Sequence, residues 1–145
     1  MCGDEYPIIS RLDFQGLLIA STKIENEVFI QKIKRIFKEN PKFFQYILKI
    51  IPIDYVCETQ VQTISEIIES SYSMYINSKD RFKIVLNRRK SPYINRESTI
   101  RKIASIINNK VDLDHPDKII RIEVLGNITG ISYLNPNDII KQNDL

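Results

Sequence analysis

Apolar and polar positions in the first third of the chain predict a short strand followed by an amphipathic helix. Residues 1–14 show no clean period and predict a loose lead-in, whereas the apolar run 17–20 predicts a short buried strand. Thr22 and Glu25 have the spacing of a capping box and mark the start of the helix. The residues predicted to face inward recur at helical intervals: Val28, Phe29, Ile33, Ile36 and Phe37.

The middle of the chain continues the alternation of helix and strand. Asn40-Pro41 ends the first helix, because the residue before a proline avoids the helical conformation. Residues 42–46 predict a helical turn, and the apolar stretch 47–57 predicts one strand with Pro52 at an edge position or a bulge. A second helix is predicted to begin near Thr63, which has a glutamate at the third position after it. Its apolar face consists of Ile64, Ile67, Ile68, Tyr72 and Tyr75.

The second half of the chain predicts a strand, a basic loop and a third helix. Residues 82–87 alternate apolar and polar side chains with a period of two, which is typical of a strand. The loop 88–93 follows, and Asn95 is a suitable N-cap for the helix after it. The inward positions of that helix are Ile100, Ile103, Ala104 and Ile107.

A hairpin closes the predicted fold. After a turn-rich link at 110–118, the apolar runs 119–125 and 128–134 flank Gly126-Asn127, a pair suited to a tight hairpin turn. The order of strands and helices predicts an α/β domain with a mostly parallel or mixed sheet, closed by this antiparallel hairpin.

Composition and charge narrow the class of protein. The chain has 145 residues, 43% of them apolar and 27% charged, which is typical of a globular domain and not of a disordered segment. Residues 1–75 hold eight Lys and Arg against ten Asp and Glu, whereas residues 76–145 hold thirteen against eight. This asymmetry indicates an anionic partner for the second half. Cys2 and Cys57 lie far apart, and no membrane span or signal peptide is evident, which predicts free thiols in a cytoplasmic protein.

Residues typical of catalysis or of cofactor binding are sparse. The four glycines are scattered and form no phosphate-cradling loop, which argues against a nucleotide cofactor. One histidine, His115, is present. Asp112, Asp114 and Asp117 lie close to it in sequence and make a hard-cation site conceivable, but short acidic side chains in a turn more often accept hydrogen bonds from backbone N–H groups. We therefore expect no catalytic residue, no metal and no cofactor.

The segment 81–110 is rich in Lys and Arg, and Glu97 is its single acid. Arginine suits phosphate because its planar guanidinium makes two parallel hydrogen bonds, and the start of the third helix adds unpaired N–H groups. An aromatic ring in the loop can stack on an unpaired base. The candidate RNA-binding residues are Arg88, Arg89, Lys90, Tyr93, Arg96, Arg101 and Lys102. The alternative is an ordinary solvated surface, with Arg88 paired to an acid and Tyr93 covering the core.

A longer pattern covers residues 58–136. It comprises the ET…EI…S helix of residues 58–71, the strand ending in Arg88-Arg89, the R-x4-R helix from Arg96, the KVDL-x2-PD link and the IEV…TGIS hairpin. In this order and spacing the pattern resembles the THUMP domain, the RNA-binding module of several tRNA-modifying systems. Four motif positions are interpreted as structural: Asp112, Pro116, Asp117 and Gly130.

The resemblance implies a THUMP-like α/β domain with a mixed sheet at residues 58–145, preceded by an abbreviated ferredoxin-like α/β segment at residues 1–57. The resemblance also implies that the basic surface binds the acceptor end of tRNA, including the single-stranded 3′ terminus. Since no catalytic domain follows residue 145, the layout is similar to that of stand-alone THUMP proteins, which hold tRNA while a separate enzyme forms N4-acetylcytidine. The stretch P-x4-C-x-T that ends at Thr59 also resembles a segment of that group.

The expectation is a non-catalytic, archaeal and cytoplasmic protein that presents tRNA to a tRNA cytidine acetyltransferase and contacts no membrane. One alternative is a detached THUMP subunit of a tRNA thiolation, methylation or deamination system. Another is a small metal enzyme that uses the aspartates of the link, and a third is a basic domain that binds an acidic protein.

Overall fold

The computed structural model describes residues 8–11, 16–46, 49–92 and 94–141. The chain divides into two compact units, a first unit of Met1–Ile50 with Ile140–Leu145 and a second unit of Ile51–Ile139. The predicted boundary after residue 57, between a ferredoxin-like segment and a THUMP domain, stays a prediction. None of the helices in the described ranges is long and apolar enough to cross a membrane.

The first unit contains two small antiparallel sheets and one amphipathic helix. Strands β1 (Ile8–Arg11) and β2 (Leu18–Ser21) pair with each other, and β3 (Lys49–Ile50) pairs with the distant β8 (Ile140–Lys141). Between them lie α1 (Asn26–Glu39) and the short 3-10 helix Pro41–Phe44, which confirm the predicted helix and helical turn. The core of this unit is formed by Ile30, Ile33, Phe37 and Ile140.

Several sequence predictions for the first unit are wrong. The lead-in contains a strand, because residues 8–11 pair with β2. β2 itself is not buried, and the Leu18 side chain is 65% exposed. The Thr22 hydroxyl does not cap α1, because it accepts a hydrogen bond from the Ile24 N–H (3.2 Å) and the helix begins at Asn26. Val28 is exposed, and Ile30 occupies the inner face of the helix instead.

The second unit is a four-stranded mixed sheet with two helices. Its strands lie in the order β4-β7-β6-β5, with β5 parallel to β6 and the other neighbours antiparallel. Helix α2 joins β4 to β5, and α3 joins β5 to β6. The bounds are β4 Tyr55–Glu58, α2 Val61–Tyr75, β5 Phe82–Arg89, α3 Arg96–Ile106, β6 Lys118–Leu125 and β7 Ile128–Leu134. This arrangement confirms the predicted mixed sheet and its closing hairpin, whose first turn residue, Gly126, has a φ of +61°.

The register of the strands assigns each side chain to one face of the sheet. Leu86, Ile122 and Ile131 lie side by side and pack in one core with both helices. Because successive side chains of a strand alternate between faces, Arg88 belongs to this helix-bearing face and Arg89 to the opposite face. The helical contributions to the core confirm the predicted apolar faces: Ile64 and Ile68 of α2, with Ile103 and Ile107 at the end of α3.

The stretch 47–57 is not one strand, because the chain leaves β3 and crosses to β4 through residues 51–54. Pro52 has no N–H to donate to a strand ladder, and its carbonyl accepts a hydrogen bond from the Ser132 hydroxyl (2.5 Å). The Asp54 carboxylate accepts a hydrogen bond from the Tyr133 N–H (2.7 Å). A Cβ on Gly130 would lie 3.0 Å from Ile53 Cδ1, so this close approach explains the glycine and fits its expected structural role.

Helix α2 begins earlier than its capping motif predicts. Its first residue is Val61, and the preceding residue, Gln60, makes no side-chain hydrogen bond to the helix. Thr63 therefore lies within the first turn and is not an N-cap. The motif failed here because a hydroxyl three residues before a glutamate occurs inside helices as well as at their beginnings.

Three tyrosines meet where α2 ends beside β4 and β7. The rings of Tyr75 and Tyr133 are stacked with centroids 4.4 Å apart, and Tyr55 lies edge-on to both rings. The Tyr133 hydroxyl is 2.6 Å from Ser71 Oγ, and the hydroxyls of Tyr55 and Tyr75 are 3.2 Å apart. Burial raises the pKa of Tyr133 to about 12, and the hydrogen bond with Tyr55 is the main cause that raises the pKa of Tyr75.

This cluster predicts a loss of stability in alkali. In the unfolded chain a tyrosine has a pKa of about 10, whereas Tyr133 in the folded protein has a pKa of about 12. The folded state therefore holds the proton more tightly, so its stability is intact below the unfolded pKa and declines as the pH rises through the interval between the two values. We expect the urea midpoint, followed by circular dichroism, to fall over this interval, and to fall less in Tyr133→Phe. An equal decline in that variant would contradict the assignment to Tyr133.

Candidate nucleic-acid interface

The predicted basic residues gather around the end of β5 and the beginning of α3. Arg88 and Arg89 are the last two residues of β5, not residues of the loop, and Arg96 is the first residue of α3. Lys90 follows the strand in a left-handed conformation (φ +50°) and is exposed. Tyr93 lies outside the described residues, so its stacking on a base stays a prediction.

Two arginines hold this loop at both ends. The Arg88 Nη1 donates to the Ile94 carbonyl, and the Arg96 Nε donates to the Leu86 carbonyl (3.1 Å). Ile94 is 1% exposed, so the first bond fixes a buried point of the loop. The suggestion that Arg88 pairs with an acid is wrong, because its partner is a backbone carbonyl. Arg88 remains exposed and uses one of its guanidinium N–H groups in this bond, which leaves others for phosphate.

The N-terminus of α3 is capped as predicted. Asn95 Oδ1 accepts a hydrogen bond from the Ser98 N–H (2.9 Å), and the Asn95 carbonyl accepts one from the Thr99 N–H (3.1 Å). The N–H groups of Arg96 and Glu97 precede these bonded positions and belong to the unpaired start of the helix. Those donors and the helix dipole favour an anion, although the exposed Glu97 carboxylate in the same turn offsets part of the positive charge.

The two basic residues further along α3 differ in their surroundings. The Lys102 Nζ donates to Gln62 Oε1 on α2 (3.1 Å), and Gln62 Nε2 donates in turn to Glu66 Oε1 (2.8 Å). Arg101 is exposed and points away from the buried Thr99 and Ile103. Sequence reasoning missed Gln62, because a contact across forty positions leaves no local pattern.

Arg89 and Arg101 are thus the most available cations of the predicted set. Both are exposed, and neither guanidinium makes a hydrogen bond or an ion pair with the described part of the chain. Arg88, Arg96 and Lys102 each use at least one donor within the protein. The structure therefore places Arg88, Arg89 and Arg96 where β5 ends and α3 begins, with Arg101 further along α3, and it gives the arginines two kinds of role.

A charged pair lies on the same sheet face as Arg89. The register places Asn87 beside Glu123, one step before Arg89 beside Leu125. Glu123 Oε1 accepts hydrogen bonds from Arg121 Nε (2.5 Å) and from Asn87 Nδ2 (3.3 Å). Arg121 is only 8% exposed, and its charge is balanced by Glu123. The uncompensated cation at this end of the face is Arg89.

Two of the three aspartates of the link, Asp112 and Asp117, bond to the backbone as expected. Asp112 Oδ1 accepts hydrogen bonds from the His115 N–H (2.9 Å) and the Asp114 N–H (3.1 Å), and Oδ2 lies 3.1 Å from Arg81 Nη1. The bond from His115 and then the Arg81 guanidinium lower the pKa of Asp112 from its ordinary value. Asp117 accepts a bond from the Arg81 N–H (2.8 Å). Over the described ranges, no three His, Cys, Asp or Glu side chains are grouped to hold a metal ion.

Cys57 is a half-buried free thiol on β4. Burial is the main cause that raises its pKa, and the neighbouring Glu58 carboxylate adds to the effect. A thiol with a raised pKa is a poor nucleophile at neutral pH, which fits the expected packing role. Cys2 lies outside the described residues.

Comparison with known proteins identifies the family. The model of the THUMP domain matches residues 58–134. The proteins named THUMP domain-containing protein 1 of Homo sapiens and Bos taurus are each 26% identical to this chain over 126 residues. The match covers 81% of this chain and 36% and 35% of theirs, so the chain spans about a third of the length of these relatives.

A solved structure shares the fold. The crystal structure of PH1313 from Pyrococcus horikoshii Ot3 superposes with a TM-score of 0.67 at 20% identity, covering 95% of this chain and 44% of that one. The likeness confirms the predicted THUMP-like α/β fold. Since the family model matches more than half of the residues, the chain belongs to the THUMP domain family, whose members usually bind RNA in tRNA modification.

Proposed function

We propose that this protein is a non-catalytic tRNA-binding protein that presents tRNA to a separate modifying enzyme. The observation that carries the proposal is the set of exposed arginines at the end of β5 and on α3. Arg88 and Arg96 hold the loop that joins the two elements, whereas Arg89 and Arg101 have no side-chain partner in the described part of the chain. A phosphate contact is stronger when its donors are already in place, because less conformational entropy is lost on binding. Arg88 has this advantage, because its bond to the Ile94 carbonyl holds the guanidinium in place while its other donors stay available.

The proposed contacts fall into two classes. Arg89, Lys90 and Arg101 would bind phosphate groups, and the remaining guanidinium donors of Arg88 would add to them. Tyr93 would stack on an unpaired base of the 3′ terminus, which is the feature that separates the acceptor end of tRNA from other RNA. Phosphate contacts, including those to the 3′ terminus, supply most of the affinity in this scheme, and the stacking contact adds the preference for a free end.

The partner that the family resemblance favours is a tRNA cytidine N4-acetyltransferase. Support comes from the P-x4-C-x-T stretch that includes Pro52 and Cys57. The competing partners are enzymes of tRNA thiolation, methylation or deamination. An archaeal origin and a cytoplasmic location belong to the same proposal. Identifying the enzyme that co-purifies with the tagged chain from its own cells separates these partners.

A titration with two RNAs tests the proposed function. The protein is titrated with intact tRNA and with the same tRNA lacking its single-stranded 3′ end, at several salt concentrations. Tight binding that weakens with salt and is lost with the 3′ end supports the proposal. Equal binding of both RNAs would point to a generic basic surface. If the protein binds neither RNA, the proposed function fails, and the alternative of an acidic protein partner is favoured.

A further inference from the structure

A polar cavity of about 370 Å³ lies in the second unit, at the beginning of β5. Its walls are residues 78–81, which follow α2, and residues 108–110, which follow α3. The cavity is therefore at the other end of β5 from the loop that Arg88 and Arg96 hold. None of the residues predicted from the sequence to bind RNA lines it.

Hydrogen bonds tie the two walls together. Asn109 Nδ2 donates to the carbonyls of Asn77 (2.7 Å) and Asp80 (2.9 Å), and the Phe82 N–H donates to the Lys110 carbonyl (3.0 Å). The Asp80 carboxylate accepts a hydrogen bond from the Asn77 N–H (2.9 Å). The side-chain amide of Asn109 thus crosses from one wall to the other, and the cavity is built by specific bonds.

The charged side chains around the cavity are mostly positive. Lys79, Arg81 and Lys110 carry three positive charges, against the single acid Asp80. Arg81 is paired with Asp112 (3.1 Å), outside the lining. The side chains of Lys79 and Lys110 are exposed, and their ammonium groups make no hydrogen bond or ion pair with any residue that the structure describes. Two ammonium groups without partners beside a guanidinium suit an oxyanion.

The ordinary explanation of such lysines is that they offset the negative ends of the helix dipoles. That effect falls off within the last turn of a helix. Helix α2 ends at Tyr75 and α3 at Ile106, so Lys79 and Lys110 each lie four residues beyond a helix end. Their separation from the helices, together with their place in the lining of one cavity, favours a ligand.

We infer that this cavity binds a phosphate group, held by Lys79, Arg81 and Lys110. The inference rests on the proposed function where the phosphate is one of the tRNA backbone. Along β5 the step from Phe82 to Arg89 spans roughly 23 Å, so the cavity would hold a different phosphate from the one bound by Arg89. The phosphate of a free nucleotide has the same chemistry and is the other source.

The RNA arm of the test compares two double variants, one that removes the positive charges and one that retains them. Lys79→Ala/Lys110→Ala removes both ammonium groups, and Lys79→Arg/Lys110→Arg retains the charge. With tRNA we expect the alanine variant to bind roughly tenfold more weakly, with a log–log salt slope less steep by about 1 to 2. The arginine variant should keep the wild-type slope. Adding Arg89→Ala should multiply the loss, since distant contacts are independent.

The nucleotide arm follows the backbone amide signals of Lys79 and Lys110 by nuclear magnetic resonance during titration with adenosine 5′-monophosphate and with inorganic phosphate. Saturable shifts that vanish in the alanine variant, with tRNA binding unchanged, assign the cavity to a free nucleotide. If the wild-type protein fails to bind tRNA, the proposed function fails, and this arm alone decides on the cavity. The inference is overturned if the folded alanine variant keeps the wild-type tRNA affinity and salt slope and the wild-type protein shows no phosphate-induced shifts. A lower thermal stability of the alanine variant would not change this conclusion.

Discussion

Replacing Arg89 and Arg101 with alanine lowers the affinity of the folded protein for tRNA by roughly tenfold or more at physiological salt, and makes the log–log salt slope less steep by about 2. Both side chains are exposed and without partners in the described structure, so their loss removes phosphate contacts and little else. The free energy of unfolding, measured with urea, should change by no more than about 0.5 kcal/mol, as it does for other surface substitutions.

The measurement is a tRNA titration at several salt concentrations, paired with urea unfolding of the same samples. Arg89→Lys/Arg101→Lys is the matched control, because it retains the charge and so most of the slope, but loses the paired hydrogen bonds of the guanidinium. Unchanged affinity in the folded alanine variant would remove this end of the second unit from the RNA-binding surface.

Arg88 and Arg96 should behave differently from this pair. An alanine at either position frees a carbonyl that the guanidinium now binds, at Ile94 or at Leu86. Such variants lose stability and RNA affinity together, because the loop is no longer held. A double alanine variant of Arg88 and Arg89, the pair that the sequence alone suggests, would therefore combine a loss of stability with a loss of RNA contacts.

The reason for this difference shows what the sequence can and cannot predict about the site. Charge density located the correct segment, and the N-cap motif located Asn95, because both signals are local. The face of each arginine depends on where β5 ends, and β5 continues two residues beyond the alternating pattern, through Arg88 and Arg89. Polar residues continue a strand without a periodic signal, since pairing with β6, and not burial, keeps them extended.

The fold follows the same division between local and distant information. Helical and strand periods predicted α1, α2, α3 and the β6–β7 hairpin, because each buries one face against the core. The pairing of β3 with β8 joins positions some ninety residues apart and could not be read from either segment. The break between β3 and β4 also depends on distant partners, since Ser132 and Tyr133 bind the backbone of Pro52 and the side chain of Asp54.

Replacing Glu123 with alanine destabilises the second unit by about 3 kcal/mol, because it breaks a buried ion pair. Arg121 is 8% exposed and bonds to Glu123 through Nε at 2.5 Å. Removal of the carboxylate leaves a buried guanidinium without its counter-charge and an Asn87 amide without its acceptor. This loss of stability is at the lower end of the range for buried ion pairs, because the Glu123 side chain is 15% exposed.

Urea unfolding measures this loss, with the near-ultraviolet dichroism of the stacked Tyr75 and Tyr133 reporting on the second unit. Glu69→Ala, which removes an exposed acid of α2, is the matched control and should change stability by less than about 0.5 kcal/mol. Arg121→Met/Glu123→Leu should recover most of the loss, because an apolar pair replaces both buried charges. Equal destabilisation in the double variant would show that packing, and not the unpaired charge, causes the effect.

The same double variant separates the two sets of charges on this sheet face. It removes one positive and one negative charge, so the net charge is unchanged, and Arg89 keeps its place at the end of β5. If Arg89 binds phosphate while the buried pair only supports the sheet, tRNA affinity and salt slope stay at the wild-type values. A fall in affinity with the fold intact would mean that Arg121 or Glu123 takes part in RNA binding, and the interface would then extend from the end of β5 across this face of the sheet.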